Sequence, residues 1–171
     1  VAALPVEGAH DVSGDRPYGR TAAAVTAVAQ AVMRGLRDAG VLPVIKHVPG
    51  HGRSHTDSHL DLPVVDTDIS TMEQSDFLPF RAPNNAPWAM TAHIVYSAID
   101  AALPATMSAK VIDRIIRGHI GFGNVLISDD LTMKALKGTP AESGKASLEA
   151  GCDLVLHCSG DLPEMQALLA A

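Results

Sequence analysis

Apolar residues along the chain follow two periods. Between Ala22 and Ala39, Val25, Val28, Val32 and Leu36 recur at three- and four-residue intervals, which predicts a helix with one apolar face. Thr21 suits its N-cap, and Gly40 suits the C′ position just past its end. After it, short and nearly continuous apolar runs alternate with helical patterns. The runs are residues 42–47, Trp88–Ala92, Val125–Ile127 and Asp153–His157. The helical patterns run from a Thr67 or Asp68 cap toward Phe80, from Ser108 to a stop at Gly118, from Ala141 to Ala150, and onward from near Pro163. Leu62–Asp66 reads as an extended exit from a loop. Strands apolar on both faces that alternate with helices predict a parallel sheet covered on both sides.

Each predicted strand ends polar, at His47, His93, Asp129 and His157. Parallel α/β sheets present their chemistry at the C-terminal ends of their strands. The four loops are therefore expected to converge on one site. Four strand–helix units are half of eight, and a complete barrel needs roughly 200 to 250 residues. The expected fold is thus α/β, a (β/α)₈ TIM-type barrel of which residues 1–171 supply the C-terminal half as one partial catalytic domain. The first residues carry no initiator Met and no basic leader, so the chain is expected to start inside a longer protein.

Composition narrows the partners. The chain is 47% apolar and 19% charged, with a formal charge of -6 and no cluster of five Lys or Arg. Nucleic acid and anionic membrane surfaces are poor partners for such a chain, and no apolar run is long enough to span a bilayer. On a strand, Cys152 and Cys158 would lie about 20 Å apart, too far for a disulfide. Two free thiols point to a reducing compartment, the cytoplasm. Both read as small buried apolar side chains. No glycine-rich dinucleotide or P-loop motif is present.

The densest chemistry lies in Val44–Leu62, which holds His47, His51, His55 and His59. Their four-residue spacing would stack imidazoles on a helix. Pro49, Gly50 and Gly52 oppose a helix there, and no H-E-x-x-H or C-x-x-C occurs, so no metal cofactor is expected and zinc is the weaker reading. Asp57 two residues before His59 can instead orient an imidazole, leaving its other nitrogen to exchange a proton. A solvated loop pair is an equal alternative on these residues alone. Asp129 and Asp130 end an apolar strand and point to opposite sides. Asp129 is a candidate nucleophile, and Asp130 reads as an N-cap. All five glutamates fall in predicted loops or helices.

Several segments carry a resemblance to a known family. They are KHVPGHG at 46–52, DSH at 57–59, AHIVYSAID at 92–100, GFGNVLISDDLTMKAL at 121–136 and AGCDLVL at 150–156. Together they resemble the β-N-acetylglucosaminidases of glycoside hydrolase family 3, in particular the bacterial cytoplasmic branch that serves peptidoglycan recycling. The resemblance implies a barrel fold and a retaining hydrolase acting on N-acetylglucosamine–anhydromuramyl muropeptides. It implies Asp129 as nucleophile, His59 as acid/base, Asp57 as its partner, and Lys46, His47 and Arg16 as sugar contacts. A sugar-binding half-barrel without activity and a metal-dependent hydrolase are the competing readings.

Overall fold

The computed structural model describes residues 2, 4–5, 17–54 and 62–171. Its strands are β1 (Val44–Val48), β2 (Val64–Val65), β3 (Trp88–Thr91), β4 (Val95–Tyr96), β5 (Val125–Asp130) and β6 (Leu154–Leu156). Its helices are α1 (Ala22–Asp38), α2 (Ile69–Glu73), α3 (Leu78–Arg81), α4 (Ala109–Val111, wound onward as a π-helix over Ile112–His119), α5 (Pro140–Ala150) and α6 (Leu162–Ala170). β1, β3, β5 and β6 form one sheet in that order, every pair parallel. This is the strand–helix repeat from which an eight-stranded barrel is built. β2 and β4 make a second parallel pair beyond the ends of β1 and β3, where the residue pattern predicts only an extended segment.

Local chemistry sets most helix ends. The Thr21 hydroxyl accepts from the Ala24 N–H, Asp68 from Thr71, Ser108 from Val111 and Asp161 from Glu164. Gly40, at φ 78°, donates to Arg37 while Val41 donates to Leu36, the paired bonds that close a helix on a left-handed residue. Two expectations need correction. The helix after Ser108 does not stop at Gly118. It continues to His119, and the left-handed turn falls at Gly121, φ 77°. The buried stripe of α1 is Val25, Ala29 and Met33, not Val25 with Val28, Val32 and Leu36, which are each more than a third exposed. The four-residue spacing of Val25, Ala29 and Met33 is as good a stripe as the one expected, and the small Ala29 lets α1 lie close against its neighbours.

The core gathers Ile45, Val48, Ala89 and Leu126 from the sheet with Met72, Phe77, Phe80, Ile112, Ile116 and Phe122 from the helices and turns. All three phenylalanines are fully buried, each contributing about 1.5–3 kcal/mol. β1 and β6 are the outer strands, and the Ala2 N–H donates to the Lys46 carbonyl on the open side of β1. Cys152 is buried and Cys158 exposed, and both are free thiols, so the expectation of two buried cysteines holds for one. Cys158 lies two residues past the end of β6. No described helix is long and apolar enough to cross a membrane.

Candidate active site

Two irregularities in the sheet place the site. On β1, Lys46 pairs with Met90 and Val48 with Thr91, so two steps of β1 span one step of β3. On β5, Ile127 pairs with Leu154 and Asp130 with Leu156, so three steps span two. Such bulges re-aim side chains at the rims of sheets. The residue caught between the paired positions on β1 is His47, and those on β5 are Ser128 and Asp129. Although β3 separates these two strands, His47 Nε2 comes within 3.5 Å of Asp129 Oδ2. Both side chains keep about a sixth of their surface open, at 15% and 16%. The Asp129 carboxylate also accepts, through Oδ1, from the Asp130 N–H at 2.9 Å.

Asp130 serves a different end. Its Oδ1 accepts from the Thr132 N–H and from the Cys158 N–H, each at 3.0 Å, and its Oδ2 from the Thr132 hydroxyl at 2.6 Å. Partial burial pushes its pKa up, but these donors outweigh that and hold it below the ordinary carboxylate range. The expected N-cap role is corrected: residues 131–138 turn without forming a helix, and Asp130 ties that turn to the loop after β6. At Cys158, burial and the charges of Asp130 and Asp129 raise the thiol pKa while Lys46 opposes them. Lys46 and Asp129 therefore act on the same small region of the rim.

His93, two residues past β3, is fully buried. Its Nε2 lies 3.0 Å from the Asp130 carbonyl and its Nδ1 lies 2.8 Å from the Thr106 hydroxyl. Burial lowers its pKa despite the Asp130 carbonyl and the nearby carboxylates, which favour the cation. His157, the fourth expected rim residue, turns to Glu164 instead, at 2.9 Å. That carboxylate comes from α6, which is why a search for acids at strand ends passed over it.

The loop leaving β1 is fastened at its base. The Tyr96 hydroxyl donates to the Gly50 carbonyl, and burial beside Asp76 pushes the Tyr96 pKa well up. Arg53 donates to Asp76 at 2.7 Å and to Ser75 at 3.1 Å. Gly52 is required where it stands, since a Cβ there would meet the Leu4 carbonyl oxygen at 1.6 Å. The rings of His47 and His51 meet edge to face at 5.7 Å. Asp57, His59 and Arg16 lie outside the described residues. Among the described residues, no three His, Cys, Asp or Glu side chains converge as metal ligands would. The sequence reading missed Tyr96, Arg53, Asp76 and Thr106. A buried tyrosine and a threonine inside apolar surroundings each require a partner, and that requirement was the available signal.

A carboxylate held on one oxygen by a main-chain N–H, with a neighbouring imidazole and an open face, can act as a nucleophile toward an electrophilic carbon. Comparison with known proteins agrees in kind. The model of the glycosyl hydrolase family 3 N terminal domain matches residues 4–171. A protein of Alkalilimnicola ehrlichii named beta-hexosaminidase is 43% identical over 156 residues, covering 89% of this chain and 44% of its own length. A glycoside hydrolase family 3 beta-N-acetylglucosaminidase from Paenibacillus superposes with a TM-score of 0.91 at 34% identity, over 99% of this chain and 34% of that one. NagZ from Neisseria gonorrhoeae, solved with N-trifluoroacetyl-D-glucosamine, superposes with a TM-score of 0.85 at 36% identity, over 99% of this chain and 48% of that one. The chain spans somewhat under half the length of the curated relatives it matches.

Proposed function

Since the chain belongs to glycosyl hydrolase family 3, we propose that it forms part of the catalytic barrel of a retaining β-N-acetylhexosaminidase that removes terminal N-acetylglucosamine. The observation that carries this reading is the 3.5 Å approach of His47 to Asp129 across an intervening strand, made through two bulges.

In the proposed reaction an Asp129 oxygen attacks the anomeric carbon, and the bond from that carbon to the departing oxygen breaks. His59, oriented by Asp57, gives its proton to that oxygen. Water then attacks the anomeric carbon, His59 takes a proton from that water, and the bond to Asp129 breaks to release its carboxylate. Most retaining glycosidases use a second carboxylate as the acid. An imidazole in that place avoids repelling a negatively charged leaving group, which suits a muramic-acid-type aglycone. Lys46, His47 and Arg16 are the proposed contacts to the sugar hydroxyls. The proposed substrates are N-acetylglucosamine–anhydromuramyl muropeptides, and the proposed place of action is the cytoplasm.

The test uses the protein as its own gene encodes it. A 5-fluoro-N-acetylglucosaminyl fluoride, which keeps the 2-acetamido group, should trap a covalent adduct that peptide mapping places on Asp129. Asp129→Ala should abolish both trapping and turnover of an aryl N-acetylglucosaminide. An adduct on Asp130, on Glu164 or on any other residue overturns the assignment.

A further inference from the structure

His93 is a deeply buried titratable group that the proposed reaction leaves without a task, at 1% exposure. A carbonyl oxygen only accepts, so the His93 nitrogen facing Asp130, Nε2, carries the proton. In the neutral ring favoured by burial, Nδ1 is then an acceptor 2.8 Å from the Thr106 hydroxyl, whose single proton also has the Ala92 carbonyl within reach at 3.1 Å. Thr106 sits on a 3₁₀ turn, Ala105–Met107, and Thr91 at the end of β3 lies 2.8 Å from its hydroxyl and can donate to it. The buried contacts thus run from Thr91 through Thr106 and His93 to the Asp130 carbonyl. The three side chains are buried, so no water competes for these bonds.

We propose that His93 is a positioning residue for Asp129. It holds the Asp130 main chain by the carbonyl, and the Asp130 N–H holds Asp129 Oδ1 at 2.9 Å. The Asp130 side chain is anchored separately, to Thr132 and to Cys158. Residue 130 is therefore gripped at its carbonyl and at its carboxylate, and the one donor it has left aims the neighbouring carboxylate. β5 bulges at this point, so its ladder alone does not set the peptide orientation. His93 moves no proton in the reaction. It sets the angle at which Asp129 meets the anomeric carbon. This inference rests on Asp129 being the nucleophile.

The experiment measures the rate constant for covalent trapping by the 5-fluoro glycosyl fluoride, per folded molecule, in the protein as its own gene encodes it. His93→Leu should slow trapping roughly 100-fold, the cost of a misplaced reacting group. The reagent concentration for half-maximal rate should stay within about threefold, since ground-state binding is not His93's task. Glutamine places an N–H near the Nε2 position, so His93→Gln should recover to within about tenfold of the unmutated rate. Thr106→Val removes the hydroxyl beside Nδ1 without altering His93 and should slow trapping about fivefold, the effect of one neutral hydrogen bond. That variant tests the chain even where His93→Leu fails to fold. Neither limb of the pH–rate profile should move. Trapping at the unmutated rate in His93→Leu or Thr106→Val, with only the melting temperature lowered, would reduce His93 to a core residue and overturn the proposal. A displaced pH limb would make it a proton-transfer group and overturn it equally. No trapping of the unmutated protein would instead defeat the reading of Asp129, and this inference with it.

Discussion

The two rims of one sheet handle charge differently. At the N-terminal rim, the Asp153 carboxylate accepts from the Leu126 N–H at 2.7 Å and from Arg117 at 2.9 Å. Arg117 also donates to the Phe122 and Asn124 carbonyls, lies 5.7 Å over the Phe122 ring, and Asn124 in turn donates to the Ala86 carbonyl. These bonds stitch loops to strands, chiefly through main-chain groups. At the C-terminal rim, Asp129 keeps one main-chain donor, the Asp130 N–H, and turns its other oxygen to an ionisable ring, while Asp130 beside it takes the ties to neighbouring loops. An aspartate sits at both ends. A charge whose partners are backbone holds the fold, and a charge whose partner can itself titrate is available for chemistry. Size misleads here: an open cleft of about 720 Å³ lies at the stitched rim, lined by Trp88, Arg117 and Asn124 among others.

Paired substitutions test that contrast most sharply. Asp129→Asn should cost roughly three orders of magnitude or more in turnover while leaving the unfolding free energy nearly unchanged. Asp153→Ala should do the reverse. It strands the Leu126 N–H and takes one of three acceptors from Arg117, so denaturant unfolding should show a loss of about 1–3 kcal/mol. Its kcat per folded molecule should stay within about threefold. Exchanged outcomes would end the distinction between the rims. In the proposed reaction, His59→Ala should slow aryl glycosides with poor leaving groups by about 10²–10⁴-fold and spare the first step for activated ones. Equal losses across leaving groups would remove His59 from the role of acid.

The smallest effect is on pH. The folded-state pKa of His93 lies below its ordinary value, so below about pH 6.5 the unfolded chain binds a proton that the folded one refuses. Stability should fall as pH drops through that range, by up to ~1.4 kcal/mol per unit, until the folded-state value is reached. Asp130, also depressed, adds a further loss once pH falls below the ordinary carboxylate range. His93→Gln should flatten the first decline and leave the second. An unchanged slope between pH 6.5 and pH 5 would show that His93 is not held neutral.

What the sequence made legible was local. The caps at Thr21 and Ser108, the choice of Asp68 over Thr67, and the turn at Gly40 depend on residues within five positions of one another, and the structure has these caps and this turn. The four strands of the sheet follow from apolar runs that need both faces covered. The capping box of Thr139 and Glu142 was equally local and stood unread in the TPAE segment. The rest depends on contacts between distant residues. Nothing near His93 in sequence announces Asp130, 37 residues away, nor does anything near Cys158 announce the same residue 28 residues back. Bulges leave no mark in an apolar run, so the meeting of His47 with Asp129 could be guessed only from both lying at strand ends. Asp57, His59 and Arg16 lie outside the described residues and stay proposals.

Trp88 is the chain's one tryptophan, and it opens β3 level with Val44 on β1 and Val125 on β5. Asp129 is four residues further along the neighbouring strand, about 13 Å away at the usual rise. The intrinsic fluorescence of this chain is therefore a gauge of the stitched rim. Its emission should shift when β1, β3 and β5 part company during unfolding. It should stay dark to a sugar arriving at the far end, so ligand titrations on this chain call for a reporter placed elsewhere.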